Sequence, residues 1–178
     1  MYRTVFHKTE VEAVHGNIAE QDGIRAVVNA ANAELRIGGG VAGALHRTAG
    51  PELEQACRPL APIRPGEAVL TSAFQLPNQY VIHCLGPVYG RDKPESELLA
   101  DCYRNALNLA EENSIDALAF PAISTGAFGY PIDEATDIAL NTCNEEALNL
   151  ARVSKIRFVL YSPDDLDLYI QKLKTFSS

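Results

Sequence analysis

One stretch constrains the fold more than any other: Arg25 to Gly43, RAVVNAANAELRIGGGVAG. Arg25 to Val28 reads as a short apolar strand. Polarity arrives at Asn29 and again at Asn32, three consecutive glycines follow at Gly38, Gly39 and Gly40, and a helical pattern opens at Val41. A glycine loop between a buried strand and a helix start lets backbone N–H groups come close to a ligand, because no Cβ blocks the approach. The first N–H groups of a helix are unpaired and carry partial positive charge, so the guest this arrangement suits is an anion.

A second stretch repeats the design. Ala117 to Pro121 reads as a buried strand, Ile123-Ser124-Thr125-Gly126-Ala127-Phe128-Gly129-Tyr130-Pro131 as a loop, and a helical pattern begins near Ile132. Two such loops imply two converging anion sites, or one ligand with two phosphates.

The 178 residues form most simply one domain, 1–178, large enough for a real core. A formal charge of −8 argues against a non-specific nucleic-acid or anionic-membrane binder. It leaves room for a phosphate ligand, since long-range repulsion is screened over roughly 8 Å at physiological salt. A hydrogen bond to a charged group is worth about 1.5–3 kcal/mol, so a few aimed amides outweigh the screened field. MYRTVFHKTE has no apolar signal core and no run approaches membrane-span length, so a cytoplasmic protein is expected. Cys57, Cys84, Cys102 and Cys143 form no C-x-x-C pair and share no ligand spacing with the four histidines. They are expected as buried free thiols, with no metal and no cofactor. With no coiled-coil seam or exposed apolar run, a monomer is expected.

Taken in order, Tyr2 to Lys8 and Glu10 to His15 alternate as strands. Asn17 is placed to cap a short helical turn, Ile18 to Gln21. Helices are expected over Val41 to Ala49 and from Pro51 through Cys57, then strands over Glu67 to Ala73 and Tyr80 to Leu85. Glu95 to Asn113 is a helix with one broad apolar face, Ile115 to Phe120 a strand, and Ile132 to Ala151 a helix. Lys155 to Tyr161 is the last strand, and Asp164 to Phe176 the closing helix. The late β-α-β-α-β-α alternation implies a mixed, mostly parallel sheet flanked by helices, an α/β three-layer α/β/α fold. Ligands in such sheets sit beyond the carboxyl ends of the strands, where both glycine loops emerge.

Four segments in register resemble the macrodomain family: Val28 to Asn32, Gly38 to Val41, His83 to Val88, and Phe120 to Pro131. The resemblance spans nearly the whole chain. It implies the macrodomain fold and binding of ADP-ribose, its derivatives, or ADP-ribosylated proteins. It further implies hydrolysis of ADP-ribosyl esters: modified protein carboxylates, O-acetyl-ADP-ribose or ADP-ribose 1″-phosphate. Carried over by position, Asn17 accepts from the adenine amine where the family usually has aspartate, and the Ile18 N–H serves adenine N1. Asn32 holds the distal ribose hydroxyls. Gly38, Gly39, Gly40 and Val41 wrap that ribose and one phosphate, with Asn32 and the three glycines as the catalytic scaffold. Ser124, Thr125, Gly126, Ala127 and Phe128 offer N–H groups to the diphosphate, with the Phe128 ring near the distal ribose. Tyr161 falls where an aromatic flanks the adenine. Asn29 is either a ligand contact or a structural amide.

One departure bears on catalysis. The hydrolase branch this chain otherwise resembles carries an aspartate directly after the Gly-Gly-Gly-Val run, and here that residue is Ala42. The loop resembles viral and some archaeal macrodomains, whose proposed route uses loop-held water and a ligand phosphate. Slow turnover is therefore expected, since a general base typically contributes 10²–10⁴-fold. A non-catalytic reader of ADP-ribosylated proteins is the alternative. His46, one helical turn beyond Ala42, is read as a packed or surface histidine before a surrogate base. A dehydrogenase reading fails although Gly38 to Gly43 satisfies G-x-G-x-x-G. Ala30 to Ile37 separates the glycines from their strand, and no acidic residue closes a following strand.

Overall fold

The structure, a computed structural model, describes residues 1–176. Seven strands form one sheet: β1 Tyr2–Phe6, β2 Thr9–His15, β3 Ala26–Ala30, β4 Ala68–Ser72, β5 Tyr80–Cys84, β6 Ala117–Phe120 and β7 Lys155–Leu160. Their order is β1-β2-β7-β6-β3-β5-β4. The five inner strands run parallel, and β1 and β4 pair antiparallel at the two edges. Five helices cover it: α1 Gly40–Ala49, α2 Pro51–Cys57, α3 Glu95–Glu112, α4 Ile132–Ala147 and α5 Pro163–Leu173.

The inner strands are apolar runs because both faces are covered. In β3, Val27 packs into a core with Leu45 of α1 and Leu53 of α2, while its neighbours Ala26 and Val28 join Leu99, Leu107 and Leu140 of α3 and α4 on the opposite face. The three-layer α/β/α architecture is therefore as the alternation implied. All four cysteines are buried and free, and burial pushes the thiols up, Cys57 to about 11. No helix among the described residues is long and apolar enough to cross a membrane.

Several elements depart from their sequence patterns: β1 ends at Phe6, short of Lys8, and the closing helix α5 ends at Leu173, with Lys174–Phe176 a 3-10 turn. Helix α4 ends at Ala147, not Ala151. The Glu111 carboxylate at the end of α3 accepts from the backbone N–H groups of Ala151, Arg152 and Val153 at 2.9–3.2 Å, which holds that segment out of the helix. Those hydrogen bonds hold the Glu111 carboxyl below the usual range against the opposing effect of desolvation. The segment after Asn17 is a turn and not a helix, although Asn17 does cap it: its Oδ1 accepts from the Ala19 N–H at 2.9 Å.

A polar chain runs through the α1–α2 core. The Asn29 amide nitrogen donates to His83 Nδ1 at 3.0 Å, which assigns the ring proton to Nε2, 2.9 Å from the Thr71 hydroxyl. Thr71 in turn donates to the Ser72 carbonyl at 3.0 Å. His83 is fully buried; desolvation, with His46 nearby, pushes it down to about 3. The native state thus refuses a proton that the unfolded chain takes up near pH 6.5, so stability is present above that pH and is lost as pH falls. Each pH unit below it costs about 1.4 kcal/mol per excluded proton. Denaturant melts of the wild type should lose stability between pH 6.5 and 5, above the range where carboxylates titrate. His83→Gln should show a shallower slope in the same window. An unchanged slope would remove His83 from the linkage.

Candidate functional site

The parallel strands β2, β7, β6, β3 and β5 present their carboxyl ends along one edge of the sheet. A cavity of about 290 Å³ lies between the segments that follow β3, β5 and β6. Asn32, Gly38, Gly39, Gly40, Val41 and Ala42 line one side; Ser124, Gly126, Ala127 and Phe128 line the other. Ala30, Ala31, Gly86, Ala122 and Ile123 complete the wall. None of these fifteen residues has a titratable side chain.

On the first side, α1 starts at Gly40 with no side-chain cap, and its first bond is Gly43 N–H to the Gly39 carbonyl at 3.2 Å. The N–H groups of Gly40, Val41 and Ala42 therefore take no acceptor among the described residues. Gly40 has φ +53°, a conformation that favours glycine. The loop ahead of it is held by Asn32. Its Oδ1 accepts from the Arg36 N–H at 2.9 Å and its Nδ2 donates to the Arg36 carbonyl at 2.8 Å. An amide has two N–H donors and two carbonyl lone pairs, so Asn32 keeps one of each for a ligand. Inside this clasp, Leu35 is buried with φ +55°, an uncommon conformation for a branched residue.

On the second side, the N–H groups of Gly126, Ala127 and Phe128 take no acceptor among the described residues. The Phe128 ring is half-buried against the α1–α2 core and faces the cavity as a lining residue. Two sets of unpaired amides on opposite walls, one at a helix start, form an anion-binding geometry.

Several expected residues lie elsewhere. Asn29 is buried in the His83 chain and does not line the cavity, because strand alternation turns it into the α1–α2 core. Thr125 spends both its N–H and its hydroxyl on the Ala122 carbonyl, at 3.4 and 2.8 Å. His46 is a packed histidine, the reading the sequence favoured: it is 4 % exposed, burial holds its imidazole below its ordinary pKa, and it is absent from the cavity wall. Asn17, Ile18 and Tyr161 sit outside the cavity but together, at the adjacent ends of β2 and β7. Gly16 N–H donates to the Leu160 carbonyl at 3.0 Å, and His15 Nε2 lies 3.0 Å from the Tyr161 carbonyl. Tyr161 is 88 % exposed, so core packing does not account for it. The Ile18 N–H takes no acceptor among the described residues, whereas Asn17 Oδ1 already accepts from Ala19. Ala30, Ala31, Gly86, Ala122 and Ile123 are wall residues to which the sequence assigns no role, and Gly86 is the glycine among them. Its sequence signal is the Gly-Pro step directly after a strand.

Gly43 packs α1 onto the glycine loop. A Cβ there would run into the Gly38 carbonyl oxygen and lie 2.8 Å from Arg47 Nη1. Alanine raises helix propensity by about 1 kcal/mol, but overpacking costs roughly 1–3 kcal/mol. Gly43→Ala should therefore lower the melting temperature. An equal or higher one would mean that the loop yields freely.

Residues 28–139 match the Macro domain family model. An O-acetyl-ADP-ribose deacetylase of Citrobacter rodentium is 45 % identical over 172 residues, covering 94 % of this chain and 96 % of its own. Among solved structures, the Oceanobacillus iheyensis macrodomain with ADP superposes with a TM-score of 0.93 at 39 % identity, covering 98 % of this chain and 95 % of that one. The Trypanosoma brucei macrodomain in complex with ADP-ribose gives 0.86 at 35 % identity, over 92 % of this chain and 68 % of that one. With the seven-stranded sheet and its two glycine loops, these similarities establish that the chain belongs to the macrodomain family.

Proposed function

We propose that residues 1–178 act as one macrodomain that binds ADP-ribose and hydrolyses ADP-ribosyl esters, O-acetyl-ADP-ribose and ADP-ribosylated protein carboxylates among them. The observation that carries this reading is the pair of unpaired amide sets facing one cavity: Gly40 to Ala42 and Gly126 to Phe128. Relatives named O-acetyl-ADP-ribose deacetylase, and solved macrodomains holding ADP or ADP-ribose, support the ligand class.

In this reading the diphosphate takes the amides of both loops, and the distal ribose lies between Asn32, the Gly38 to Gly40 loop and the Phe128 ring. The adenine extends toward the ends of β2 and β7, against the exposed Tyr161 ring, with Ile18 N–H at its N1. Asn17 contributes its remaining carbonyl lone pair to the adenine amine. Water adds to the ester, and the products are ADP-ribose and the free carboxylic acid. Because no wall residue titrates, the chain's part is to place water and ester and to stabilise developing charge through fixed dipoles.

The same bare wall favours a second reading, a binding module without turnover. Calorimetric titration with ADP-ribose, followed by release assays on O-acetyl-ADP-ribose and on a glutamate-linked ADP-ribosylated protein, separates the two. Binding with slow turnover is expected. Asn32→Ala should lower kcat about ten-fold or more, the cost of losing hydrogen bonds made to the reacting ribose. Ala42→Asp should raise kcat, toward about 10²-fold if the carboxylate acts as a general base. Binding with no turnover, in the wild type and in Ala42→Asp alike, would leave the binding module. No binding would overturn both readings.

A further inference from the structure

The second loop is fastened to the segment after β5. The Ser124 hydroxyl donates to the Pro87 carbonyl at 2.8 Å, and the Tyr89 N–H donates to the Phe128 carbonyl at 2.9 Å. The rings of Tyr89 and Tyr130 meet at 4.9 Å between centroids, and Tyr130 N–H donates to the Ser124 carbonyl at 2.9 Å. Ser124 is buried, and its φ is +68°, a left-handed conformation that a serine rarely holds without help. Such a residue costs of order 1–3 kcal/mol and persists only when its surroundings over-determine it. Its partner across the brace is Gly86. A Cβ on Gly86 would collide with the Ser124 hydroxyl oxygen and lie 2.7 Å from Ile123 Cγ2.

We infer that Ser124 and Gly86 are positioning residues: the Ser124 hydroxyl, locked on the Pro87 carbonyl across a gap that only glycine leaves open, fixes the loop whose amides at Gly126 to Phe128 receive the anion. The hydroxyl serves the loop and not the ligand. Its hydrogen is committed to Pro87, whereas the neighbouring amides are uncommitted. The same lock explains how a non-glycine residue keeps φ +68° beside a binding surface. The assignment rests on the proposed ADP-ribose reading only for what the loop receives; the brace itself is a property of the loop.

The test compares Ser124→Ala, Ser124→Gly, Gly86→Ala and the double variant Gly86→Ala/Ser124→Ala. Each is read by the backbone amide resonances of Gly126, Ala127 and Phe128 in the free protein and by calorimetric titration with ADP-ribose. Ser124→Ala keeps the strained φ and loses the lock, so the three amides should shift and affinity should fall about ten-fold. Ser124→Gly loses the same hydroxyl but holds a positive φ at little cost, so it should bind more tightly than Ser124→Ala. A hydroxyl that touched the ligand would give the opposite order, or equal losses. Gly86→Ala should displace the loop amides at least as far as Ser124→Ala does. The double variant should lose no more affinity than Gly86→Ala alone, because both changes break one contact. Should Gly86→Ala not fold, the double variant, which removes the oxygen that its Cβ meets, reads the same contact. Unmoved amides in Ser124→Ala, or additive losses in the double variant, would overturn the assignment. A wild type that does not take ADP-ribose would end the functional reading, while the amide shifts would still decide the brace.

Discussion

The cleft depends on backbone amides that the fold leaves unpaired. A buried strand satisfies its own N–H groups through its neighbours, and a helix interior does the same along its axis. Only at the passage from strand to helix do several consecutive N–H groups lose both kinds of partner. The parallel strands make that passage repeatedly along one edge, the two glycine loops follow β3 and β6, and those two strands are neighbours in the sheet. Parallel pairing of β6 with β3 turns two separate sequence features into one binding surface. Without it, the glycine loops would open at opposite edges of the sheet.

The large pKa displacements sit behind this surface and not in it. His83 lies in the core between the sheet and α1–α2, where burial keeps it neutral and its ring passes a fixed direction of hydrogen bonding from Asn29 to Thr71. Asn29 ends in that chain while Asn32, three residues on, opens onto the cavity. The polar chain thus anchors the end of β3 from below, and the Asn32 clasp on Arg36 shapes the loop from above. Strongly perturbed groups often mark catalytic sites; here they mark the scaffold, and the cavity wall carries no ionisable group.

Much of this was legible in the sequence. The apolar runs gave the inner strands within a residue or two, since strands covered on both faces need no partner to be recognised. The triple glycine and the Ser124 to Phe128 loop declared the amide surfaces, because glycine beside a helix start has a direct geometric meaning. What could not be read were contacts set by distant residues. The end of α4 is fixed by Glu111, about forty positions away, and no local pattern at Leu148 to Ala151 records it. The sequence leaves Asn29 open between a ligand contact and a structural amide, and strand alternation decides it: Asn29 points into a core that the sequence does not show to be polar. Tyr161 ended an apolar strand and still stands 88 % exposed, because the sheet edge stops one residue earlier.

A negative chain with an anion-accepting cleft is consistent once charge and dipole are kept apart. The formal −8 is spread over a surface that salt screens within roughly 8 Å. The amides act at hydrogen-bond distance and need no net charge. Dipoles, however, stabilise a charge only where they are aimed, and an amide on a mobile loop turns to solvent. A cleft without ionisable groups is therefore more sensitive to loop geometry than one built on arginines, whose long side chains can follow a ligand. Two non-glycine left-handed residues beside this cavity, Leu35 inside the Asn32 clasp and Ser124 on Pro87, fit that demand. Each is an unfavourable conformation held by buried packing and a specific hydrogen bond, and each immobilises the loop that carries the amides.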